Sequence, residues 1–193
     1  MVRTRYSLAA SCVCMLFLSA AFGIANAQTA PPSDSKLSLK AALVLTPEFC
    51  ATKIAKGSWA TIKETFEVGK IACAELEPAL REAFSSVTPA TAIPSPGDAQ
   101  VVLLPRFVDV AATTTVSAFS NREMDVFLEW TVKDTSGQTV WIETVQGSAK
   151  HHMGNLFTHS KNLKLIVKDS VKNAAEQSAN KMSASPQLRK LVH

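Results

Sequence analysis

The sequence predicts an α+β fold: a mainly antiparallel sheet with a C-terminal hairpin, packed by two long helices as a two-layer sandwich. Three observations carry this. Met124, Val126, Leu128, Trp130 and Val132 alternate with Asp125, Phe127, Glu129, Thr131 and Lys133, the period-two signature of a strand with one buried face. The run from Asp134 to Gly137, DTSG, then supplies a turn, and QTVWIETVQG returns as the partner strand. Elsewhere apolar residues recur every three or four positions, first after Lys70 and again after Ser160, which marks two helical stretches. Strands in groups with helices between and after them belong to the α+β class.

Taken in order, the folded part begins at Leu37 and runs to His193 as a single domain, after a polar, Pro-containing leader over residues 28–36. LSLKAALVLT is a first strand, stopped by Pro47, and ATKIAKGS reads as a loop. WATIKETFEV alternates Trp59, Thr61, Lys63 and Thr65 against Ala60, Ile62, Glu64 and Phe66, a second strand punctuated by Gly69. Cys73, Leu76, Leu80, Ala83 and Val87 form one helical face, kinked or divided at Pro78, where a donor is missing and the ring clashes with the preceding turn. TPATAIPSPGD ends that helix as a surface link. AQVVLLPRFVDV is a third strand in which Pro105 calls for an edge or bulge. In the tail, Leu163, Val167, Val171, Ala174, Ser178 and Met182 make an apolar stripe, with Lys164, Lys168, Asp169, Lys172 and Glu176 free to face water. Pro186 stops this second helix, and QLRKLVH adds at most a turn.

Residues 1–27 carry the marks of a secretory signal. Arg3 and Arg5 precede an uncharged apolar run that ends in Ala25–Asn26–Ala27, an A-x-A cleavage pattern. An uncleaved anchor is the alternative reading of so long an apolar run. Cleavage after Ala27 leaves no transmembrane span in the mature chain. Of 20 basic residues two lie in this segment, and none of the 16 acidic ones do, so 18 face 16 and the mature charge is near +2. That balance excludes a nucleic-acid partner, and the mean hydropathy of +0.11 is raised by the leader itself.

Cys50 and Cys73 remain after processing, and in an oxidising compartment their natural state is one disulfide; two separate buried thiols are the alternative. KHHMGNLFTH brings His151, His152 and His159 close in sequence, and imidazoles are frequent metal ligands. Neighbouring residues on an extended chain point to opposite faces, and the spacing matches no zinc motif, so no metal is assigned. No nucleophile elbow, phosphate loop or dinucleotide fingerprint occurs. Pairs such as Glu75 with Glu77 and Glu123 with Asp125 stand at spacings chance supplies. The sequence therefore assigns no catalytic residue and no cofactor; a metal-dependent hydrolase built on the three histidines is the alternative to a non-enzymatic role. AATTTVSAFSN, Ala111 to Asn121, reads as a continuation of the third strand, or else as a loop offering Val116 and Phe119 to a partner.

The early LVLTPEF, the ALREAF that ends the first helix, VVLLP, the VKDTSGQTVW hairpin and the VKDSVKNAAEQSANKM helix followed by SPQLRKL together resemble small bacterial envelope lipoproteins of the YajG-like type, and more distantly other accessory proteins of the outer membrane and periplasm. The resemblance covers residues 40 to 190 as an order of elements. It implies an exported, periplasmic or extracellular accessory or assembly module whose partner is an envelope protein or outer-membrane component, with no catalytic residues to carry over. Such relatives carry a lipidated cysteine; here Cys12 and Cys14 follow only Ser7 to Ser11, too little apolar core for a lipoprotein signal.

Overall fold

Leu37, Leu39, Ala41 and Leu43 alternate toward one face, and the strand they form, β1 (Leu37–Val44), lies between two strands made later in the chain. A computed structural model describes residues 36–56, 64–112, 121–152 and 159–192. After β1 come α1 (Pro47–Cys50), β2 (Ile54–Lys56), β3 (Glu64–Phe66), α2 (Val68–Leu80), β4 (Phe84–Ala90) and β5 (Val101–Ala112). They are followed by β6 (Asn121–Asp134), β7 (Thr139–His152), α3 (His159–Ala184), α4 (Pro186–Arg189) and a 3-10 turn at Lys190–Val192. The chain divides into Met1–Ala30, outside the described residues, and Pro31–His193, to which the following refers.

The main sheet has the order β4-β1-β5-β6-β7. β5, β6 and β7, the longest strands, pair antiparallel, while β1 pairs in parallel with both β4 and β5, so the mostly antiparallel sheet has a mixed edge. The reason is a strand that the periodicity concealed. Ala83 and Val87 continue the helical spacing, yet α2 ends at Leu80 and Phe84–Ala90 is β4. A parallel neighbour requires a crossover, and α2 supplies it between β1 and β4. The two helices are unequal, 13 residues in α2 and 26 in α3, and the hairpin of β6 and β7 leads into α3. ATKIAKGS is not all loop either, since β2 begins at Ile54 and pairs with β3; Trp59 to Lys63 of the expected second strand lie outside the described residues.

The hairpin follows the alternation. Met124, Val126, Leu128, Trp130 and Val132 are all buried, and the opposite face carries a cross-strand ion pair in which Arg106 donates from Nε and Nη2 to one Glu129 oxygen at 3.0 and 2.8 Å. At the turn, Gly137 has φ +82°, and Asp134 Oδ1 accepts from Ser136 N, Ser136 Oγ and Gln138 N. Those donors, the Ser136 hydroxyl foremost, hold the Asp134 carboxyl below the usual carboxylate range. Pro105 sits past Leu103, the last residue paired to β1, so on that side it occupies an edge position, while the register shift in β5 comes later, between Phe107 and Asp109.

Both helices cover the same face of the sheet. Ile166, Val167, Ser170, Val171, Ala174, Ala175, Ser178, Ala179 and Met182 of α3 are buried, and small residues let the helix lie close on β6 and β7. Ser170 Oγ donates to Met124 O at 3.0 Å, and Trp130 Nε1 donates to Ser178 Oγ at 2.7 Å. From α2, Val68, Ala72, Leu76 and Leu80 join the same core with Leu39, Leu43 and Leu103. Glu75 meets Lys168 at 3.7 Å, while Pro78, Ala79 and Glu82 share a depression with Glu176, Ala179 and Asn180. The two helices thus run side by side in the same direction.

Cys50 and Cys73 are bonded, with Cα atoms 5.7 Å apart, tying α1 to α2. Phe49 of α1 stacks on Phe107 of β5 at 5.0 Å between ring centres. Replacing both cysteines by serine opens a covalent loop whose ends are 23 residues apart, and the expected loss is about 3 kcal/mol from chain entropy. Urea melts of oxidised parent and double variant measure it; coincident midpoints would show that the bridge contributes nothing to the folded ensemble.

Candidate functional site

Of the residues singled out by sequence, Val116 and Phe119 lie outside the described residues. His151 and His152 end β7 and face opposite sides of the sheet. His151 Nε2 lies 2.7 Å from Asp169 Oδ2 on α3, whereas His152 Nδ1 is 3.3 Å from Asn121 Oδ1 on β6. His159 opens α3, and its side chain is outside what is described. Each described imidazole therefore serves a different contact, and among the described residues no three His, Cys, Asp or Glu side chains are grouped to hold a metal.

A different site emerges at the shared N-terminal end of α2 and α3. Phe66 and Glu67 leave β3 directly into α2, the tied-back α1 brings Lys53 alongside, and the second and third turns of α3 close the other wall. Together they enclose a groove of about 640 Å³. Its floor is apolar: Phe66 and Val167 are buried, Ile71 and Leu163 half-buried. Its rim holds four lysines, Lys53, Lys70, Lys164 and Lys168, and one carboxylate, Glu67. Lys53 Nζ lies 2.9 Å from Glu67 Oε1 and holds that carboxyl below its ordinary range, with smaller contributions from Lys70 and Lys164. Lys168 reaches Glu75 at 3.7 Å. Among the described residues Lys70 and Lys164 make no ion pair within 4.0 Å, so two cations are left over above an apolar floor.

This placement runs against helix electrostatics. Backbone dipoles make a helix N-terminus positive, which favours acidic side chains there and basic ones at the far end. Neither α2 nor α3 has an acidic residue in its first turn, and lysines crowd this end instead. Farther along the same seam the depression beside Pro78 is lined by Glu75, Glu82 and Glu176 with Lys172 alone in opposition. The N-cap Glu67 of α2 and Lys181 in the last turn of α3 follow the dipole rule, so the departure is local, at Lys70 and Lys164, and departures of that kind concentrate at functional sites.

Sequence reasoning assigned Lys164 and Lys168 to the solvated face of a helix and gave Lys53 and Lys70 no role. Each statement holds for one element alone. The groove exists only when three segments distant in sequence converge, and the one legible hint was the absence of acid from the first turns of both helices.

No family model matches the chain, and no curated protein does. Solved structures do. A Xanthomonas campestris protein of the family DUF330 is similar over 77% of this chain and 87% of its own, at 6% identity and a TM-score of 0.52. A minor lipoprotein from Acinetobacter baumannii is similar over 78% of this chain and 94% of its own, at 10% identity and a TM-score of 0.51. At such identities the likeness is one of fold. No described helix is long and apolar enough to cross a membrane.

Proposed function

We propose that this protein is a non-catalytic binding module of the bacterial envelope, exported by a signal cleaved after Ala27 and folded as one domain from Leu37 onward. The observation that carries the reading is the lysine-rimmed groove at the joined N-termini of α2 and α3. An apolar floor beneath a few convergent polar groups is the usual form of a small-molecule site, and its volume falls within the range of about 300–1,000 Å³ for such sites. The A-x-A leader, the disulfide and the YajG-like order of elements support the address. The fold shared with two bacterial proteins, one of them called a minor lipoprotein, agrees with it.

The test is native mass spectrometry of the protein purified from envelopes, beside a Lys70→Glu, Lys164→Glu variant. The parent is expected as a chain beginning at Gln28 with a bound species, and the variant as the same chain without it. Lys70→Glu puts acid in the first turn of α2 and should leave stability unchanged or raise it by about 0.3–1 kcal/mol, while Lys164→Glu, in the second turn of α3, should leave it nearly unchanged. A variant that is more stable yet empty is the signature of a site kept for function at a cost in stability. Identical bound species in the two proteins, or none in either, would remove the groove as the basis of the function.

A further inference from the structure

We infer that the occupant of the groove is a single-chain anionic amphiphile, specifically a fatty acid, seated with its chain on Phe66, Ile71, Leu163 and Val167 and its carboxylate between Lys70 and Lys164. This rests on the binding-module reading above and names its ligand. Three features of the groove select that chemistry. Phe66, Ile71, Leu163 and Val167 make a contiguous apolar floor that suits a hydrocarbon chain, and the polar groups, Thr65 and the charged side chains, lie around it. The rim retains two ammonium groups not engaged by carboxylates among the described residues, and an anion placed there receives charge-assisted hydrogen bonds. The first turn of α2, at Lys70 and Ile71, lies against the groove, and its dipole adds to the same positive field.

The fixed spacing of helical anchors decides between a lipid and a peptide. On α3 the floor runs from Leu163 to Val167, one turn, or about 6 Å of helix rise. An amphipathic helix docks through anchors at i, i+3, i+4 and i+7, which needs about 10 Å of continuous apolar surface. The charged depression beginning at Glu75 and Pro78 interrupts the seam before that length is reached. An acyl chain has no such periodic requirement and bends about its single bonds, so the groove's volume of about 640 Å³ bounds it, not the roughly 6 Å of helix rise, and its compact head leaves one carboxylate for the two lysines. Glu67 does not oppose it as a bare charge, because Lys53 already neutralises that carboxylate at 2.9 Å.

The experiment is isothermal titration of the processed, oxidised protein with laurate and with dodecanol, which differ only in the head group. Laurate is expected to bind one to one, and dodecanol about tenfold or more weakly, a conservative figure for loss of charge-assisted bonds. Lys70→Glu with Lys164→Glu should weaken laurate by at least the same factor. Lys133→Glu with Lys150→Glu, an equal change of net charge on the hairpin, should leave it unaltered. Equal binding of laurate and dodecanol overturns the head-group assignment, and equal losses in the two variants overturn the site in favour of net charge. An acidic amphipathic peptide that binds the groove where laurate does not would overturn the ligand class while leaving the binding module standing. Failure of the module itself would show instead as an empty parent in the envelope preparation.

Discussion

Replacing Trp130 by alanine is expected to lower stability by about 3–5 kcal/mol, as for other large aromatic side chains removed from a core. Trp130 is fully buried at the centre of β6, opposite Pro105 on β5 and Glu143 on β7, and its indole is anchored to Ser178 at 2.7 Å. The loss combines the transfer of a large ring, the cavity left beneath α3 and a buried hydroxyl stripped of its donor. For a domain of this size it corresponds to a melting temperature lower by roughly 6–20 °C, out of a total stability of about 5–15 kcal/mol. Trp130→Phe keeps most of the volume and loses the hydrogen bond, so it should fall between variant and parent. Thermal melts of the three proteins give the order, and an alanine variant melting with the parent would mean that α3 does not rest on this side chain.

Gly147→Ala is expected to cost about 3 kcal/mol or more, the upper part of the overpacking range. A Cβ at this position would fall 2.2 Å from Ala174 N and 2.3 Å from Ser170 O, both main-chain atoms of α3 that no rotamer change can move. The helix would have to lift from β7, which also strains the bonds from Ser170 to Met124 and from Trp130 to Ser178. The sign is diagnostic. At an unconstrained position the same exchange stabilises by about 0.4–1 kcal/mol through the unfolded chain, so equilibrium denaturation separates the outcomes without need of a precise value. Stabilisation would show that β7 and α3 are farther apart than described.

What the sequence revealed depended on whether one element alone decided the pattern. The hairpin was legible because one face of β6 is buried along its whole length, so that alternation from Met124 to Val132 has a single explanation. The stripe on α3 was legible for the same reason. β4 was not, because Phe84 and Val87 stand three apart, a spacing that serves a helix face as readily as an irregular edge strand, and Pro89 reads as a helix stop in the first case and an edge residue in the second. Thr46–Pro47 and Ser185–Pro186 were read as stops alone. In each the hydroxyl accepts from the backbone N–H three residues on, at 3.2 and 3.4 Å, and the proline takes the first helical position, so each pair ends one element and opens the next. The groove escaped notice because its four lysines come from three separate segments and acquire a common meaning only from the parallel course of α2 and α3.

The insertion of β1 between β4 and β5 has a consequence for the order in which the protein is made. β1 leaves the ribosome first, yet Phe84–Ala90 and Val101–Leu103, its neighbours on either side, are synthesised about 40 to 60 residues later. At about 5–20 residues per second, several seconds pass in which AALVL is extended, apolar and without a partner. β5, β6 and β7, by contrast, are joined in succession and find one another as soon as each emerges. The newborn domain must therefore keep its first strand from sticking to other chains until β4 and β5 have left a slot for it, and within the domain any factor that shields nascent apolar segments has its first task at Leu37–Val44.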